Sequence, residues 1–193
     1  MLTWLQWTAH WASLLPLGTL GVLWLRHRHR DVAYLWVASA FAVSWMADTS
    51  VSSLGLHPWL VARVYPLLQF ALLYGVFLER PKAKKWALRV AGLGILSLWQ
   101  SAADAPEIVA SVGGSVILCE MIWARKELGA LRTGLLFSFG VSACFLFWFP
   151  VLVERNLPLW FLWAWLGYQT SRIIGLLIVS WAIWKRPTLA IVR

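Results

Sequence analysis

Carboxylates are scarce in this chain. Its 193 residues carry eight Asp and Glu against seventeen Lys and Arg. The eight are dispersed, and the four histidines never stand at metal-ligand spacing within an apolar run. Acid/base or metal-assisted chemistry needs several such groups converging on one point. No catalytic or metal cluster is visible, so an enzyme is not the expectation and the residues name no cofactor. Cysteine is nearly absent too: Cys119 and Cys144, both inside apolar runs, are too few for a disulfide framework or a Cys-based zinc site. They read as small, inert core residues. Positive charge is missing from the first three residues, and a basic cluster follows the first apolar run instead of preceding it. That order is the reverse of a cleavable signal peptide, so the first helix is expected to be retained with its N-terminus outside. The last apolar run has no lysine in its middle, which excludes a retinal Schiff base at the usual place.

What is abundant is apolar. The chain is 61% hydrophobic with a mean hydropathy of +0.70, where a soluble domain holds ~45–50% apolar residues. Fourteen of the seventeen basic residues fall into four clusters: Arg26, Arg28 and Arg30; Arg80 to Arg89; Arg125, Lys126 and Arg132; Lys185, Arg186 and Arg193. Lys and Arg gathered in short loops hold those loops in the cytoplasm. The formal charge of +9 therefore orients helices and meets anionic headgroups; nucleic acid is not an expected partner.

A spanning helix takes ~20 mostly apolar residues. Seven runs qualify, at 4–25, 32–54, 59–78, 86–103, 106–124, 133–152 and 159–184, and every basic cluster follows an odd-numbered run. The expected fold is all-α: residues 1–193 form one seven-helix transmembrane bundle, N-terminus out and C-terminus in, in a bacterial inner membrane. Most of the sixteen tryptophans lie within a turn or two of a predicted helix end, where indoles settle at headgroup level. Trp11, Trp45 and Trp165 lie deeper and are the only tryptophans suited to a ligand pocket. Rows of small residues, such as Gly134, Ser138 and Ser142, predict close helix approach. Pro16 and Pro66 predict kinks in the first and third spans.

Spans 1–3 and 5–7 share flanks and order, with Tyr65 and Gln69 in span 3 set against Tyr168 and Gln169 in span 7. This order is compatible with a parallel 3+1+3 plan. In layout alone it is similar to the sugar-transporting and PQ-loop seven-helix proteins, whose Pro-Gln dipeptide is absent here. A closer resemblance rests on "WMADTSVSS" around Asp48 and "RVYPLLQFALLYGVF" with Tyr65 and Gln69, followed by an aromatic-rich span 6 and a span 7 ending in "WAIW". In these the chain resembles a family of uncharacterised small bacterial seven-helix membrane proteins. The resemblance implies the fold and carries no activity.

Charge inside a span costs ~2.5 kcal/mol or more at the bilayer centre. Rise along each helix places Arg172 and Glu120 ~20 Å from the outer surface, Gln69 and Gln169 near ~15 Å, and Tyr65, Asp48 and His10 near ~9 Å. Arg172 and Glu120 could pair, and Arg63 could reach Asp48 across a hairpin. One reading makes all of these mutually satisfied pairs that join helices. The other makes Arg172, Glu120, Gln69, Gln169 and Tyr65 a polar site for a small anionic or polyhydroxyl solute, with Asp48 and Arg63 as a supporting pair. The functions that correspond are a small-solute carrier or binding protein, and a non-catalytic accessory subunit of a larger membrane complex. The oligomeric state stays open, a homo-oligomer included.

Overall fold

The computed structural model describes residues 2–26, 32–78, 83–99 and 106–185. Among them the chain is all-α, with no strand. In order the helices are α1 (Leu2–Ala12), α2 (Leu15–Leu25), α3 (Val32–Leu54), α4 (Pro58–Phe77), α5 (Ala83–Trp99), α6 (Pro106–Trp123), α7 (Ala130–Leu135), α8 (Ser142–Glu154) and α9 (Pro158–Lys185). A 3₁₀ turn, Lys126–Leu128, precedes α7, and a π-helical stretch, Leu136–Val141, joins α7 to α8. Three helices begin on a proline, Pro58, Pro106 and Pro158. At that position the missing N–H has no intrahelical partner to lose.

The expected first span is two helices. Pro16 lacks an N–H and its ring collides with the carbonyl four residues back, at Ala12. The helix stops there, and Ser13 and Leu14 form a turn in which Ser13 N donates to Ala9 O at 3.2 Å and Leu14 N to Trp11 O at 3.1 Å. The buried Ser13 hydroxyl adds a bond to the same Ala9 carbonyl, 3.3 Å away. Pro66, by contrast, sits buried inside a continuous α4.

α9 is the central helix, touching α1, α2, α7, α8 and the π stretch, while α5 lies at the edge against α6. Small residues set the closest approach. A Cβ added to Gly175 would stand 2.5 Å from Ser138 N and 2.7 Å from Gly134 O, and one added to Gly134 would stand 2.8 Å from Val179 N. The backbones of α7 and α9 touch there, as the row of small residues predicts. The densest apolar packing lies in the half of the bundle nearest the basic clusters, where Leu73, Leu118, Ile122, Leu135, Val179 and Ile183 have no exposed surface.

Two stretches, Ala130–Glu154 and Pro158–Lys185, are long and apolar enough to cross a membrane, with mean hydropathies of 2.1 and 1.2 over 18 residues. Only 22% and 39% of those windows is buried by the rest of the chain. Such contiguous exposed apolar surface requires lipid or a partner to cover it. Trp4, Trp24, Trp123, Trp160 and Trp184 are exposed near helix ends, as a belt requires, but Trp86 is buried at 5% exposure with Lys85 and Arg89 over its ring. The cysteines are both free, and Cys144 is exposed, so it is not the core residue that the sequence suggests.

Candidate functional site

A cavity in the middle of the bundle gathers polar side chains from five segments. α3 contributes Ser44, α4 Tyr65 and Gln69, α6 Ser111 and Ser115, the single continuous segment of π stretch and α8 Ser138 and Ser142, and α9 Tyr168 and Arg172. Helical spacing explains the set. Tyr65 and Gln69, Ser111 and Ser115, Ser138 and Ser142, and Tyr168 and Arg172 are each four residues apart, so each pair stacks on one helix face. The volume is about 40 Å³. A water needs ~10–15 Å³ measured in this way, so the space takes about three or four waters, or a solute of a few heavy atoms.

Arg172 organises the wall. Its Nη1 donates to the Tyr168 hydroxyl at 3.1 Å and its Nη2 to Ser44 Oγ at 2.9 Å, while the guanidinium carbon lies 5.4 Å from the Tyr168 ring centre. The half-buried cation thus joins α9 to α3 through a neutral hydroxyl and borders the cavity. Across the cavity the Ser142 and Ser171 hydroxyls are 2.8 Å apart, and Ser171 donates to Tyr168 O at 2.9 Å. Ser115 donates to Ser111 O at 2.6 Å. Ser138 Oγ is buried and lacks a hydrogen-bond partner.

Of the residues expected at the site, Arg172, Gln69 and Tyr65 come together on this cavity. Gln169 does not line it: it is buried at 6% exposure, with Oε1 unpartnered. It lies about 60° around α9 from Arg172, at 3.6 residues per turn. Glu120 is a correction. It does not face Arg172 but pairs with Arg89, and with Lys85 at 3.7 Å, on a surface where its own side chain is 44% exposed. Around α6 it stands about 140° from Ser115, so it points to α5 instead of the cavity. The Asp48–Arg63 pair lies outside the described residues, because neither side chain is among them.

Tyr168 and five serines are the additions. Ser138 and Ser142 are the same small residues that predict close packing; they do both jobs. Tyr168 and Arg172 on α9 repeat the spacing of Tyr65 and Gln69 on α4, and that i, i+4 match is the signal by which they could have been found together. Trp11, Trp45 and Trp165 do not line the cavity. Trp45 stacks on His10 with ring centres 5.7 Å apart, and its Nε1 is buried without a partner. No group of three His, Cys, Asp or Glu close enough to hold a metal occurs among the described residues. A wider groove between α8 and α9, lined by Phe145, Trp148, Trp160 and Trp163, is open and almost wholly apolar.

No family model, curated protein or solved structure matches the chain.

Proposed function

We propose that this chain is a small-solute carrier or binding protein of a bacterial inner membrane, built as seven spans with the N-terminus outside, and that the cavity at Arg172 is its solute site. The observation that carries the reading is the convergence of five segments on one polar cavity inside an otherwise apolar bundle. Polar groups at such depth are costly, and helix pairing alone would not require an open volume beside them. A guanidinium fork and several hydroxyls suit the oxygens of a small anionic or polyhydroxyl solute. The 40 Å³ volume limits an enclosed solute to a few heavy atoms unless helices part.

The spans follow from the basic clusters. The exposed Trp184 under Arg26 (5.7 Å) supports a headgroup-level position for that face, where anionic lipid would be the partner. The apolar groove between α8 and α9 favours a second reading, an accessory subunit whose neighbour fills that groove.

Two measurements test the proposal. Reporters fused at Met1 and after Arg193 should score outside and inside; a cytoplasmic N-terminus removes the seven-span arrangement. Proteoliposomes of the purified chain should accumulate one of a panel of small anions and polyols, and Arg172→Lys should abolish uptake while the protein still folds, since a point charge cannot replace the planar fork. No uptake, together with a stoichiometric partner in mild detergent, would replace the carrier with the subunit.

A further inference from the structure

The cavity is polar at one end and aromatic at the other. On the N-terminal side of the bundle its walls are Tyr65, Ser111, Leu146 and Tyr168, all half-buried. About one turn deeper, Ser44, Gln69, Ser115 and Ser142 are buried. Deeper still, toward the basic clusters, the lining ends in Phe41, Phe70, Phe139 and Leu176, exposed by 4%, 3%, 7% and 1%.

Those rings interlock. Phe139 stacks on Phe41 with centres 5.4 Å apart and planes 30° from parallel, and meets Phe70 at 5.4 Å and 59°. Phe70 stacks in turn on Tyr74 at 5.8 Å, and the Tyr74 hydroxyl donates to Gly114 O at 2.8 Å. The Phe70 ring occupies the space that a side chain at position 114 would need. Phe70 is therefore fixed between α4 and α6. Beneath the rings Leu73, Leu118, Leu135 and Val179 are fully buried, an apolar layer on the side of the basic face.

Phe139 differs from the other two rings in its backbone. It lies in the π stretch Leu136–Val141, and the Ser142 hydroxyl reaches back five residues to Phe137 O at 3.3 Å. A π stretch holds one more residue per turn than an α-helix and occurs often at functional sites. Losing that residue to the α register would turn the adjoining backbone by about 100° and withdraw the Phe139 ring from its partners.

We infer that the cavity communicates with the N-terminal face alone in this state, and that Phe139, closing against Phe41 and Phe70, is the gate that separates it from the basic face. The inference rests on the reading of the cavity as a solute site and states how that site is controlled. Three packed rings exclude water as hydrophobic constrictions in channels do.

The test uses Ser142→Cys in the full chain with Cys119 and Cys144 replaced by alanine, in sealed vesicles of each orientation, with sidedness scored by an N-terminal tag. The probe is Ag⁺, a thiol-reactive ion small enough for the cavity, read as loss of later maleimide labelling in denatured protein. The introduced thiol should be blocked when Ag⁺ is applied to the N-terminal face and protected when it is applied to the basic face. Adding Phe139→Ala should abolish that protection; Phe139→Leu serves if the alanine variant does not fold. Blocking from the basic face with the rings intact, protection from both faces, or protection that survives removal of the ring would each overturn the gate. Solute uptake is scored on matched vesicles of the native chain. Uptake without sided blocking leaves the solute site standing and removes the gate, whereas sided blocking without uptake removes the carrier and keeps the gate.

Discussion

Arg172 of α9 and Ser44 of α3 are joined by a 2.9 Å hydrogen bond, donated by a cation to a neutral hydroxyl whose residue is 5% exposed. Together with the bond to the Tyr168 hydroxyl, it helps to position the guanidinium plane at the cavity wall. Hydrogen bonds to charged groups contribute about 1.5–3 kcal/mol. Ser44→Ala should therefore lower the thermal stability of the protein in detergent by an amount in that range and weaken solute uptake. Unchanged stability would show that water replaces the hydroxyl without loss.

The contact of α7 with α9 gives a sharper test of packing. Gly175→Ala places a methyl where Ser138 N and Gly134 O already stand. Overpacking of this kind costs about 1–3 kcal/mol where the core can adjust, and two backbones in contact adjust poorly. Gly18→Ala is the control, since a methyl there meets nothing within 4 Å and gains about 1 kcal/mol of helix propensity. Melting temperatures should fall for Gly175→Ala and hold or rise for Gly18→Ala. Equal shifts would mean that α7 and α9 do not touch at these residues.

Glu120 supplies a negative prediction. Its partners Arg89 and Lys85 are 41% and 57% exposed, and exposed pairs contribute about 0–1 kcal/mol. Glu120→Gln should leave both uptake and melting temperature nearly unchanged. A loss of uptake would place the carboxylate at the site after all.

Near the 3₁₀ turn, Arg125 Nε donates to Glu127 Oε1 at 2.8 Å, and this bond above all holds the Glu127 carboxyl below its ordinary range. The unfolded chain then binds that proton more readily than the folded one. The stabilisation is complete above the ordinary carboxylate pKa of ~4.3 and is lost as pH falls through the lowered value. Acid titration of stability should show this small loss in the native chain and not in Glu127→Gln. Parallel curves would show that the bond adds nothing, which is the expectation for a fully solvated pair.

Several helix starts were legible in the sequence, and the directions that side chains face were not. The expected runs begin within a residue of the helices that start on Pro58, Pro106 and Pro158, but three residues late at α5 and α7. Counting rise puts Glu120 and Arg172 at one depth, but depth says nothing of azimuth. The face of α6 that turns inward is decided by Ser111, Gly114 and Ser115 packing against α4 and α8, and Glu120 is on another face. The same limit separates Gln169 from Arg172. The π stretch was invisible, since the Leu136–Val141 segment has the composition of any apolar helix. The turn at Ser13 was legible in kind, through Pro16, though a kink and a full break look alike in sequence.

The central claim is that the cavity at Arg172 binds a small polar solute, and ligand-dependent stabilisation of the purified chain tests it most directly. A solute at 100 times its dissociation constant raises stability by about 2.7 kcal/mol. Across a panel of small anions and polyols, at least one should raise the melting temperature of the wild-type protein and leave that of Arg172→Lys unmoved. A solute that stabilises both proteins equally, or a panel that stabilises neither, would contradict the claim.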